Sequence, residues 1–193
     1  MKNVIKNALL VSFLSIGFIM GAAEDLDVKV LENQNLKVEL NRGEKGDILL
    51  LKNTFGKVLF KDSIGKMGAY EKIFNLELVP NGDYYLNLNK KGSLLITSVK
   101  KTENGLEIDE LSRFVFKPSF EIEKSKVRVF LSNPKQITAI MKVYDSKGIL
   151  VGNLKTSELI IKRTLDFSDV PSGIYKVETI IDGQKFYNEL KIG

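Results

Sequence analysis

Leu165-Asp-Phe-Ser-Asp-Val-Pro-Ser-Gly-Ile-Tyr175 is the stretch that decides the fold. Leu165 and Phe167 alternate with Asp166 and Ser168, and in an extended chain alternate residues share one face, so the first pair points to a core. Pro171 presets a turn, Gly173 relieves its steric demand, and Tyr175 starts the next strand. A tyrosine just past such a corner can bury its ring while its hydroxyl bonds a nearby backbone group. A second version, Ile73-Phe-Asn-Leu-Glu-Leu-Val-Pro-Asn-Gly-Asp-Tyr84, lies earlier, and Tyr84 precedes Tyr175 by 91 residues.

Working outward, the offset persists. Val129 falls on Val38, Asp182-Gly183 on Lys91-Gly92 and Phe186 on Leu95 at 91, while Gly148 falls on Gly56 after a slip to 92. Shared strand-turn-strand order at a nearly fixed spacing indicates a tandem duplication, and a cut between Ile108 and Asp109 yields halves 24–108 and 109–193. The seam at Lys101-Thr-Glu-Asn-Gly105 has no Pro/Ser/Gly-rich tract, so little freedom between halves is expected. Leu106-Glu-Ile108 can pair back onto Leu94 to Val99, and Phe114-Val-Phe116 is apolar enough to fill a contact between the halves.

Alternation runs through both halves. Leu26, Val28 and Val30, then Leu36, Val38 and Leu40, read as half-buried strands, and Ile48-Leu-Leu-Leu51 reads as a strand covered on both faces. Gly56 turns the chain back into Val58-Leu-Phe60, the span from Ser63 to Tyr70 reads as a longer loop, and strands follow at Lys72–Leu78, Tyr84–Leu88 and Ser93–Val99. Seven short strands per half suit two antiparallel sheets packed face to face, because one open sheet would leave an apolar face wet and two edges bare. The expected class is all-β: two tandem antiparallel β-sandwiches.

Lys2 and Lys6, the apolar run Ala8 to Met20 and the small residues Gly21-Ala22-Ala23 form the three parts of a signal peptide, placing a leader at 1–23 and the protein in an exported compartment. Once leader cleavage removes the two lysines, 27 basic and 24 acidic residues remain, a net charge of +3, which gives no ground for nucleic acid as a partner. The basic pairs Lys90-Lys91 and Lys100-Lys101 read as solvated hairpin ends. The chain has no cysteine and no histidine. Disulfides, Ser-His-Asp and Cys-His catalysis and soft-ligand zinc sites are therefore excluded.

Val143-Tyr-Asp-Ser-Lys-Gly-Ile-Leu-Val151, the stretch from Leu165 to Tyr175 and the final strand Phe186 to Ile192 together resemble the C-terminal sorting domain of type IX secretion cargo in Bacteroidetes. That resemblance implies small immunoglobulin-like β-sandwiches, and a second half that directs passage across the outer membrane. The first half carries the same pattern, which equally suits a tandem immunoglobulin-like exported protein in which neither copy sorts anything.

Chemistry is sparse. Asp166, Ser168 and Asp169 lack the repeated spacing of a calcium loop. Glu77 and Asp83 have nothing to fix their separation as a carboxylate pair. Ser125-Lys126 and Ser146-Lys147 point to opposite strand faces, and Arg42, Gly43, Lys45 and Gly46 lack the strand-to-helix setting of a phosphate loop. Tyr85 and Tyr187 remain as aromatics available for stacking. No catalytic residue, cofactor or metal is expected. The leading expectation is a non-enzymatic, structural or interaction-making exported module that meets a protein or glycan partner through loops or sheet edges, for example Ser63–Tyr70 and Asn153–Ser157; the alternative is a type IX cargo sorted by 109–193.

Overall fold

The computed structural model describes residues 26–32, 34–109 and 111–193, so the expected leader lies outside the described residues. The regular structure is β1 (Leu26–Leu31), β2 (Asn35–Gly43), β3 (Ile48–Asn53), β4 (Val58–Ser63), β5 (Gly68–Asn75), β6 (Gly82–Asn89), β7 (Ser93–Thr102), β8 (Gly105–Ile108), β9 (Arg113–Phe116), β10 (Ser119–Glu123), β11 (Lys126–Ser132), β12 (Ala139–Tyr144), β13 (Leu150–Thr156), β14 (Ile160–Asp166), β15 (Gly173–Ile181) and β16 (Gln184–Ile192). No helix among the described residues is long and apolar enough to cross a membrane.

These strands form four antiparallel sheets that repeat one plan. Sheet β1-β2-β5 matches β10-β11-β14, and β4-β3-β6-β7 matches β13-β12-β15-β16. Each set is a three-plus-four immunoglobulin-like sandwich whose fourth strand joins the third. Register follows the offset of 91 through Val38↔Lys72 and Val129↔Arg163. Across β3 and β12 the offset is 92, because Leu51 faces Leu86 as Val143 faces Val177. The slip therefore precedes these strands, earlier than the glycine turns that reveal it.

Alternation builds each core. Leu36, Val38, Leu49, Leu51, Leu76, Leu86 and Leu88 close the first sandwich, and Val127, Val129, Met141, Val143, Phe167, Val177 and Leu190 the second. The corner forms twice: the Tyr84 hydroxyl donates to the Pro80 carbonyl at 2.6 Å and the Tyr175 hydroxyl to the Pro171 carbonyl at 2.7 Å. The amide two residues after each corner's asparagine or aspartate is held likewise, Glu77 N donating to Asn75 Oδ1 and Ser168 N to Asp166 Oδ1, both at 2.9 Å. Gly56 and Gly148 share φ 80°, a left-handed conformation that favours glycine.

Several expectations change. Ser63–Tyr70 is not a long loop: β4 runs through Ser63 and β5 begins at Gly68, which pairs with Gly43. A Cβ on Gly43 would lie 3.2 Å from the Ile64 side chain and 3.3 Å from the Gly68 carbonyl, so Gly43 permits the close approach of β5. Asn153–Thr156 likewise belongs to β13. Strand β5 stops at Asn75, and Leu76–Val79 forms the corner instead. Strand β8 pairs with Val99–Thr102, not with Leu94–Val99, and the vacated stretch Ser93–Ile96 takes β9. The sheet of the first half thus continues past the 108/109 cut.

Lys101 is not a solvated hairpin end. It is 5% exposed, and its ammonium donates to the carbonyls of Leu76, Glu77 and Val79 at 2.6, 2.7 and 2.6 Å. The corner turns three carbonyls toward one point, and an ammonium has three donors to meet them. The second sandwich has Ile192 at this position and forms its corner without an ammonium.

Candidate functional site

A third apolar cluster joins the sandwiches. Leu94 and Ile96 on β7 and Val115 on β9 pack with Leu131, Ala139, Ile161 and Ile181 of the second sandwich. The outer face of the six-stranded sheet that carries β7 and β9 is thereby capped by one end of the next sandwich. The expectation that Phe114-Val-Phe116 fills this junction holds through Val115 and Phe116, with Phe114 turned to the first core.

Beside this junction the two surfaces part into a cleft of about 620 Å3. Tyr85 and Asn87 reach it from the outer face of β6, next to Ile96 of β7. Lys52 lies opposite Tyr85 on β3, and Arg113 opposite Ile96 on β9. The β3–β4 turn forms one wall: Asn53 Oδ1 accepts from Phe55 N and Lys57 N at 3.0 and 2.9 Å, and the Phe55 ring stands 94% exposed. The β15–β16 turn forms the other wall. Asp182 and Gly183 there have φ 49° and 70°, the paired left-handed residues of a tight hairpin, and they present Gln184 and Lys185.

Two features give the cleft chemistry. Three cations, Lys52, Arg113 and Lys185, line it, and its lining contains no carboxylate. Lys185 also approaches Glu178 at 3.5 Å. Asn87 is only 6% exposed, and its Oδ1 has no hydrogen-bond partner. A buried acceptor left unmet costs about 1–3 kcal/mol, so this oxygen favours a donor brought by something else.

The candidates singled out in the sequence fall elsewhere, except Tyr85, which lines the cleft. Tyr187 lies exposed on β16 and donates to Glu178 Oε1 at 3.1 Å. Asp166 Oδ1 accepts from Ser168 Oγ at 2.6 Å, and these bonds from Ser168 hold the carboxyl below its ordinary range. That pair caps a turn. Among the described residues no group of three or more acidic side chains could hold a metal ion. Arg42 lies near the end of β2 and Lys45 and Gly46 on the β2–β3 turn, where Glu44 N donates to Asp47 Oδ2 at 3.0 Å.

No protein-family model matches the chain, and no curated protein matches it. Among solved structures, the BSP domain of a biofilm associated protein is similar at 11% identity and TM-score 0.31, over 86% of this chain and 29% of that one. A Ruminococcus gnavus β-glucuronidase, solved in complex with uronic isofagomine, is similar at 11% identity and TM-score 0.32, over 82% of this chain and 35% of that one. The chain thus spans about a third of the length of the solved structures it matches. At TM-scores of this size the fold is read from the chain's own strand pairing.

Proposed function

We propose that this protein is a non-enzymatic exported binding module whose ligand, an anionic hydroxyl-bearing chain such as an acidic glycan, lies in the cleft between the sandwiches. The observation that carries the reading is the unpartnered Asn87 oxygen beside three cations and the Tyr85 and Phe55 rings. A hydroxyl meets the amide, carboxylates meet the cations, and sugar faces stack on the rings. The apolar junction keeps both walls in place, so binding orders little of the protein. Calorimetric titration with a soluble polyuronate and a neutral glucan tests it. Binding of the polyuronate, lost in Arg113→Ala and Asn87→Leu, is expected; equal binding of the neutral glucan, or retention in both variants, would refute it.

A second reading takes 109–193 as a type IX sorting signal. It draws support from an asymmetry between the copies: β8 and β9 cover the edge of β7, whereas β16 is an edge strand. A reporter fused to 109–193 behind a leader in a competent host reaches the cell surface on this reading, and one held in the periplasm argues against it.

A further inference from the structure

The two copies differ most beside their last strands. In the first sandwich β8 lies against β7 and near β1, and Leu106 joins Leu26 in the core. In the second, among the described residues, no strand takes the outer edge of β16. Between β16 and β10 lies an open slot of about 490 Å3, with Lys117, Phe120, Ile122, Glu189 and Leu190 in its lining, and Lys191 and Ile192 continue the edge beyond it. Ile122 is 44% exposed there. An uncovered strand edge presents unpaired N–H and C=O groups that template another strand.

We propose that this slot receives an extended segment of another polypeptide, added antiparallel to β16 and carrying an apolar-acidic-apolar triplet. The first sandwich supplies the template. There Leu106 opposes Lys101, Glu107 opposes Lys100 and Ile108 opposes Val99. At the offset of 91 those partners become Ile192, Lys191 and Leu190. Ile192 and Leu190 are buried edge residues of the second core, while Lys191 makes no ion pair among the described residues. An incoming acidic residue would face Lys191 as Glu107 faces Lys100, its apolar neighbours turned toward Phe120 and Ile122. Backbone bonds supply the affinity and the alternating side chains the specificity, as in strand addition generally.

The test uses the full chain and a synthetic peptide of residues 104–109, Asn-Gly-Leu-Glu-Ile-Asp. Hydrogen exchange is expected to show slowed amides in β16 on adding peptide, and no protection from a peptide with Leu and Ile both replaced by Ser. Lys191→Glu should weaken binding about fivefold, and a peptide with Lys in place of Glu should restore it. Absence of protection in β16 overturns the proposal. So does protection that appears without peptide and grows with protein concentration, which assigns the edge to a second copy of this chain. The cleft touches β16 only through Gln184 and Lys185, so protection read at Leu190–Ile192 is separate from it and the two proposals fail independently.

Discussion

Lys101→Met is the sharpest test of how the first corner is held. Methionine keeps the apolar stem and removes only the ammonium with its three bonds to Leu76, Glu77 and Val79. A hydrogen bond to a charged group contributes about 1.5–3 kcal/mol, so three would total about 4.5–9 before correction. Desolvating the ammonium returns several kcal/mol of that sum. Losses are bounded further because the Leu76 carbonyl also accepts from Val79 N at 3.0 Å, and Glu77 is exposed enough for water to reach its carbonyl. The net cost is about 3 kcal/mol, which for a chain of this size is a fall in Tm of about 6–12 °C. Urea unfolding followed by circular dichroism measures it, with Lys100→Met, one residue away and exposed, as the control expected to stay within about 0.5 kcal/mol. If Lys101→Met is no more destabilising than Lys100→Met, the ammonium does not hold the corner and the reasoning fails.

Three further outcomes follow from the same structure. Tyr84→Phe and Tyr175→Phe each remove one hydroxyl-to-carbonyl bond and should each cost about 1 kcal/mol in urea unfolding. Ile96→Ala opens the apolar junction at a cost of about 2–5 kcal/mol, and calorimetry should then resolve two unfolding transitions where the parent shows one. Asp62 is held below its ordinary range first by Lys72 and then by the Tyr70 hydroxyl, so its stabilisation is present above the unfolded carboxyl value and lost as pH falls through the lower folded value. Asp62→Asn should therefore lower stability at neutral pH and flatten the acid limb of the stability profile.

What the sequence disclosed was chemistry written in adjacent residues. The tyrosine corner is such a case, since Pro171, Gly173 and Tyr175 sit within five positions and act on each other. The excess apolarity of Phe114-Val-Phe116 was legible for the same reason: a linker has no use for it. The glycines of Ser63–Tyr70 read alike but act differently: Gly65 sits in the connection, whereas Gly68 lies in β5, and only its pairing with Gly43 tells the two apart. Asn87 gave no signal. It alternates with Leu86 and Leu88 and so reads as wet, yet the second sandwich comes down over that face. Lys101 was hidden likewise, since the carbonyls it meets lie 22 to 25 residues earlier in the chain.

The apolar junction also makes the duplication directional. Leu94 and Ile96, which the second sandwich covers, correspond at the offset of 91 to Lys185 and to Tyr187, the latter 69% exposed. Exchanging the two copies in the chain would set a lysine and a tyrosine where the junction needs aliphatic side chains, and leave two aliphatic residues in water. The two sandwiches share one plan inside and have incompatible outsides. Each has become a part that fits only its own place.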